Sequence, residues 1–254
     1  MEEFVCYTDI SRAAPGQAHL LWAAQAPATG GLGPGVRAWR HGTAVAVASP
    51  GLSRRDRLAV AGGEADAALL ARHALEEAGP SYRLFGEAAL VESLTGRVPG
   101  LEPVHTYFWM DTAAPPRGGT ADVRWLEAHE EKEAAVLFDR FFPDSSAQPG
   151  FEGVHRWAGT SGEAPGDAGP PPLAVAADAW SAPGCGFMAG VVTHPAARGR
   201  GLATSVCAFV LDGLIRRHGR AALMVRGHNA PAVTTYERLG MAKRLFGSAH
   251  LVSR

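Results

Sequence analysis

Apolar residues along this chain recur at two spacings, and the alternation between them predicts two runs of strands and helices. In the first run, residues 36–49 (VRAWRHGTAVAVAS) carry apolar and β-branched side chains on both sides of His41-Gly42, which predicts a hairpin. Residues 64–78 are rich in Ala and Leu with charges interspersed, and they stop at Gly79-Pro80, which predicts a helix. A strand over 81–85, a helix over 87–94 and a strand over 103–110 follow. Residues 30–35 (GGLGPG) precede a strand instead of opening a helix, so they read as a loop and not as a nucleotide fingerprint.

The second run begins with a short strand over 122–126. Residues 130–142 (EEKEAAVLFDRFF) are acidic at their start, as a helix dipole prefers. Strands are expected over 153–157 and 173–180, and a buried one over 187–193 (FMAGVVT). Leu202, Val206, Phe209, Val210 and Leu214 have helical spacing within 202–217. Residues 221–225 (AALMV) read as another buried strand. A helix over 231–239 has Pro near its first position and Gly240 just past its end. Two breaks punctuate the chain. Residues 111–120 (DTAAPPRGGT) read as a linker, and 159–172 (GTSGEAPGDAGPPP) as a mobile loop too poor in apolar groups to pack. The alternation predicts an α/β (α+β) layered sandwich, a mixed sheet flanked by helices, with domains over 1–115 and 119–254.

Composition narrows the function classes. The chain has 254 residues, 46% of them hydrophobic, which suffices for one large domain or two modest ones. A formal net charge of -1 supplies no bulk attraction to nucleic acid or to anionic membranes, so neither is an expected partner. Cys6, Cys185 and Cys207 are odd in number, far apart and without a CxxC pair. They suggest neither a disulfide framework nor a zinc site, and no metal is expected. With no apolar run near the ~20 residues that span a bilayer and no basic-then-apolar leader, the expected location is cytoplasmic.

The chemistry concentrates in residues 191–203 (VVTHPAARGRGLA), where a buried strand ends, a loop rich in Gly and Arg follows, and an apolar helix begins. The first amides of a helix lack intrahelical partners and suit a phosphate. Gly199 and Gly201 allow close backbone approach, and Arg198 and Arg200 add charge-assisted hydrogen bonds. The segment lacks the Lys of a P-loop, and Thr204 replaces the third Gly of a dinucleotide fingerprint.

The pattern from Arg198 through Gly201 to Ala203 resembles the acyl-CoA-binding motif [QR]-x-x-G-x-[GA] of the GNAT superfamily of N-acetyltransferases. A second segment, 229–241 (NAPAVTTYERLGM), resembles that family's N-x-x-A-x-x-x-Y-x-x-x-G-[FM], with Asn229, Ala232, Tyr236 and Gly240 matching. The likeness is best over 173–254 and looser from Ala121. The first half carries no such motif; its arrangement is similar to two-domain members such as glycine N-acyltransferase-like proteins, so two tandem GNAT-like domains are expected, the first degenerate.

The resemblance implies acetyl-CoA as co-substrate and direct attack by a primary amine in a ternary complex, the acceptor being a small molecule, peptide or protein. The pantetheine arm would enter between the strands at 187–193 and 221–225, near Val191, Val192 and Thr193. The cradle would comprise Arg198, Gly199, Arg200, Gly201, Leu202, Ala203 and Thr204. Asn229, Ala232 and Tyr236 would line the arm, with Tyr236 as the acid for the departing thiolate. His194, His228, Glu130 and Asp178 are alternatives for the base, and none matches a family motif. Asn229 could equally be a helix N-cap. Trp125, Trp157 and Trp180 either line an acceptor pocket or pack, and Cys185 and Cys207 read as core. The rival function is a non-catalytic acyl-CoA sensor or assembly module. Little chain follows Gly240, so the first half, or a second subunit in a homodimer, is expected to help complete the sheet.

Overall fold

The computed structural model describes residues 1–119, 122–160 and 172–252. The first half comprises β1 (Glu2–Phe4), α1 (Tyr7–Ala13), α2 (Ala18–Ala24), β2 (Arg37–His41), β3 (Ala44–Ser49), β4 (Arg57–Ala61), α3 (Glu64–Ala78), β5 (Arg83–Glu87), α4 (Ala88–Thr95) and β6 (Leu101–Thr112). The second comprises β7 (Val123–Trp125), α5 (Ala128–Phe141), β8 (Val154–Thr160), β9 (Ala174–Ala179), β10 (Gly186–Thr193), α6 (Leu202–His218), β11 (Ala221–Val225), α7 (Ala230–Arg238) and β12 (Ala242–Leu251).

All twelve strands form one mixed sheet in the order β1-β2-β3-β4-β5-β12-β6-β11-β10-β9-β8-β7. Two neighbouring pairs are parallel, β4 with β5 and β10 with β11, and each is bridged by a crossing helix, α3 or α6. The last strand, β12, lies between β5 and β6, both from the first half. In turn β6 borders β11 through five residue pairs, from Ala221↔Thr112 to Val225↔Phe108. The backbone ladder therefore passes from one half to the other without an edge.

Burial follows this interlocking. One face of the sheet carries a single core that includes Ile10, Leu20 and Trp22 of the first half and Leu137, Phe138 and Trp157 of the second. On the other face, α3 and α4 cover the first half around Leu70, Leu75 and Leu94, while α6 and α7 cover the second around Val206, Leu211 and Tyr236. Trp109 of β6 stacks on Phe246 of β12 and packs against Phe187 of β10, which ties three strands at the centre.

His19 is enclosed there. Its ring meets Phe85, Trp109 and Phe246 edge-on, and its Nε2 lies 3.1 Å from the Val60 carbonyl, which makes Nε2 the protonated nitrogen of a neutral ring. Burial lowers its pKa to about 4. The unfolded chain, titrating near ~6.5, binds this proton more readily. The contribution of His19 to stability is thus complete above pH ~6.5 and is lost as pH falls through about 4. Urea unfolding at pH 7.5 and pH 4 should differ by roughly 3 kcal/mol from this group alone, and His19→Leu should flatten that part of the dependence.

Most expected elements are present, including α3 over the predicted residues. Three departures have physical causes. Residues 111 and 112 belong to β6 and not to a linker, because Asp111 is held by Arg220 and Arg244 at the sheet. The elements β1, α1, α2 and β4 escape the sequence pattern. Both helices have only seven residues, and α2 (AHLLWAA) is apolar without a polar face; β4 opens on the last residue of the charged run SRRDR. Of the loop expected over 159–172, Gly159 and Thr160 extend β8, and 161–171 lie outside the described residues.

Candidate acyl-CoA site

The β10–β11 pair is the origin of the site. Its parallel register covers only Gly186↔Ala221 and Phe187↔Ala222, although β10 continues to Thr193 and β11 to Val225. Beyond Phe187 the two strands part and leave a gap that opens toward their C-terminal ends. On its other side β10 pairs with β9, but the register shifts between Ala189↔Ala177 and Val192↔Val175, so β10 holds one extra residue. That bulge contains Val191 and Gly190, the latter at φ +62°. A Cβ on Gly190 would stand 2.5 Å from Trp157 Cη2, so only glycine permits the bulge against the buried indole. Gly190 is the one signal of this bulge in the sequence, an isolated glycine within a strand pattern. Val192 and Thr193 return to the β9 ladder opposite Val175 and Ala174.

After β10 the chain makes a 3-10 turn over Pro195–Ala197 and reaches α6 through 198–201. Gly199 and Gly201 have φ of +75° and +80°, and a Cβ at either would meet nothing within 4 Å. The backbone here faces open space. Ser205 N–H donates to the Gly201 carbonyl as the first helical bond. Among the described residues no group accepts from the amides of Gly199, Arg200, Gly201, Leu202, Ala203 or Thr204. Arg198 and Arg200 are exposed and make no ion pair among the described residues. Free amides, a 17-residue helix with its positive end at the loop, and two unpaired guanidinium groups fit a pyrophosphate.

The second motif borders α6. Asn229 caps α7, its Oδ1 accepting from Ala232 N–H at 3.3 Å. The capping role is therefore real, and it leaves the amide nitrogen free for a ligand. Tyr236 lies in the core shared with Val206 and Cys207, and burial pushes its phenol well above the usual range, so it stays protonated. Burial also raises the Cys207 thiol to about 12, which leaves it an inert core residue.

The proposed bases fare differently. Glu130 receives two bonds from Arg124 and accepts from Glu127 N–H in a capping box at the start of α5, and these hold its pKa down to about 2. Such a carboxylate orders a helix start and is a poor proton acceptor. Asp178 is buried at the closed end of the β10 pair, opposite Met188, and accepts from Ser181 Oγ at 2.6 Å and Arg156 Nε at 3.3 Å. His194 uses Nδ1 to accept from Ala196 N–H, and its ring meets Phe141 edge-on. His228 is exposed beyond β11. Trp157 and Trp180 are core, and Trp125 carries the Arg156 guanidinium over its ring at 3.6 Å. Among the described residues no three or more His, Cys, Asp or Glu side chains gather to hold a metal, and no helix is long and apolar enough to cross a membrane.

The first half has the same β–α–β order without the cradle. Its β4–β5 pair is closed, since a Cβ on Gly86 would lie 2.6 Å from the Val60 carbonyl oxygen. The turn into α3 is blocked as well, with Gly62 packed on the backbone of Thr43 and Ala44, and Glu64 and Asp66 place negative charge where a phosphate would sit.

Comparison with known proteins agrees with this geometry. The family described as FR47-like protein matches residues 172–248, the stretch from β9 through most of β12. A GCN5-related N-acetyltransferase from Kribbella flavida superposes with a TM-score of 0.53 at 18% identity, covering 86% of this chain and 90% of its own. An acetyltransferase of the GNAT family from Colwellia psychrerythraea gives 0.50 at 10% identity, covering 98% of this chain and 100% of its own. No curated protein matches the chain. The fold is that of the GNAT superfamily.

Proposed function

We propose that this GNAT-fold chain transfers an acetyl group from acetyl-CoA to a primary amine by direct attack in a ternary complex. The observation that carries the reading is the conjunction of a parallel strand pair that parts after Phe187 with an open, amide-lined loop at the start of α6. The loop from Arg198 to Thr204 would hold the pyrophosphate, and the bulged part of β10 would offer main-chain donors near Val191 to the acyl carbonyl. Acetyl-CoA brings an already activated thioester, so the protein's contribution is chiefly alignment. Tyr236, protonated throughout the neutral range, would give its proton to the departing sulfur. With Glu130 committed to Arg124 and Asp178 enclosed, the proton of the attacking ammonium would leave through water at the open end of the gap.

The first half reads as a degenerate copy of the second, on the strength of its own β4–α3–β5 unit and its filled cradle.

The test is thiol release from acetyl-CoA over a panel of primary amines. Tyr236→Phe should lower kcat by about 100-fold, the lower range for loss of a general acid, and leave KM for acetyl-CoA within about twofold. Its unfolding midpoint should barely change, because no hydrogen bond to its hydroxyl is present among the described residues. Saturable acetyl-CoA binding with no turnover of any amine would instead favour a sensor.

A further inference from the structure

At the end of the sheet toward which the β10–β11 gap opens, on the face opposite α6, the first half presents unpaired positive charge. Arg57 begins β4 and pairs in register with Arg83 of β5. Arg226 directly follows β11, whose last residue Val225 is level with Phe108 of β6, beside Tyr107. His105 lies within charge-interaction range of Arg55, Arg57, Arg83 and Arg226. Among the described residues none of these four arginines has a carboxylate within ion-pair distance. Asp56, between two of them, accepts from Gly51 N–H. In a chain of net charge -1 such a concentration is not a by-product of composition.

Two features make this more than a charged surface. Arg57 is partly buried over the rings of Trp22 and Phe85, and its Nε donates to the Leu52 carbonyl at 2.9 Å. Its two terminal nitrogens have no partner among the described residues. Tyr107, only 6% exposed, has a hydroxyl with no hydrogen-bond partner among the described residues, and it lies close enough to Arg57 to feel its charge. A buried hydroxyl and a fixed guanidinium lacking acceptors together match an incoming anionic oxygen. The turn that bears Arg55 is tied across the halves by Arg54, whose guanidinium stacks on Phe151 at 4.4 Å.

We propose that Arg57 and Tyr107, supported by Arg226, Arg83 and Arg55, bind an anionic group of the acceptor, so that the substrate is an amine that also carries a carboxylate or a phosphoryl group. The inference rests on the acyltransferase reading for the word acceptor; the anion site itself does not. In that arrangement the acyl donor occupies the α6 side of the sheet and the acceptor enters from the side of Trp22 and Trp109. The first half thereby becomes a specificity element.

The test has two parts. Thiol release is measured with L-amino acids, the matching L-amino acid amides, and O-phosphoethanolamine beside ethylamine. Loss of a paired anionic group should lower kcat/KM by about 100-fold, as expected for a charge-assisted pair, and the preferred arm identifies carboxylate or phosphoryl. Separately, N-acetyl-L-amino acids or inorganic phosphate are titrated by calorimetry into wild type, Arg57→Gln and the exposed Arg226→Gln, with Arg12→Gln as control. Binding should fall in the first two variants and persist in the control, with acetyl-CoA affinity unchanged in all. Equal turnover of acids and amides, or anion binding indifferent to both Arg57→Gln and Arg226→Gln, overturns the proposal while acetyl-CoA turnover keeps the acyltransferase reading. Anion binding lost with Arg57 in a protein that does not bind acetyl-CoA sinks that reading and keeps the site.

Discussion

Replacing Gly201 with glutamate is expected to abolish acetyl-CoA binding and leave the fold intact. Gly201 is the N-cap of α6 at φ +80°, with open space where a side chain would point. A non-glycine residue there costs about 1–2 kcal/mol of backbone strain. Against that, a carboxylate at a helix N-terminus is favoured by about 0.3–1 kcal/mol, so the unfolding midpoint should move little. The ligand experiences the opposite. The new carboxylate would occupy the region of the free amides of Gly199 to Thr204 and repel a pyrophosphate; two like charges ~4 Å apart near a surface cost about 4 kcal/mol. Calorimetric titration should therefore show affinity weaker by at least about 100-fold. Gly201→Ala, which adds strain without charge, should lose far less. If the glutamate variant bound acetyl-CoA as wild type does, the loop would not be the cradle.

The second large effect is expected from cutting the chain near residue 119. A fragment over 119–254 loses β6, and with it both the antiparallel partner of β11 and the longest partner of β12. It also loses β5, the other neighbour of β12, so Ala242–Leu251 is left with no strand to pair with. The row of unpaired N–H and C=O groups along β11 becomes an exposed edge, which promotes aggregation. Phe246 and Phe187 meanwhile lose Trp109 from the centre of the core. Removing a buried Trp side chain alone typically costs about 3–5 kcal/mol, a large part of the ~5–15 kcal/mol that holds a domain together. The fragment should be insoluble or unfold without cooperativity in circular dichroism and sedimentation. Co-expression of 1–118 with 119–254 should restore a cooperative, acetyl-CoA-binding complex. A soluble, monomeric 119–254 that unfolds cooperatively and binds acetyl-CoA would refute the argument from interlocking.

These two outcomes separate what local chemistry encodes from what assembly adds. The proposed cradle is legible in residues 198–204 because its parts are consecutive: glycines at turn positions, flanking arginines and an apolar helix start depend only on neighbours in the chain. The strands at 187–193 and 221–225 and the helices α3, α6 and α7 are legible for the same reason, since periodicity is a local signal. Roles that depend on distant partners are not. Glu130 reads as a carboxylate near a site until Arg124 is found to bind it, and Asp178 until Ser181 and Arg156 do. In the sequence Asn229 fits a cap and a ligand contact equally, and only the bond from Ala232 N–H establishes the cap.

From its own order of residues, this chain determines most of its element types, its α/β class and the Gly- and Arg-rich make-up of the loop before α6. Tertiary structure alone decides that β12 enters the sheet among strands of the first half, that β10 and β11 part after two residue pairs, and that His105 comes within charge range of Arg55, Arg57, Arg83 and Arg226. The physical reason is range. Backbone conformation and side-chain periodicity are set within a few residues, whereas strand neighbours and unpaired charges are set by which distant surfaces must be buried together.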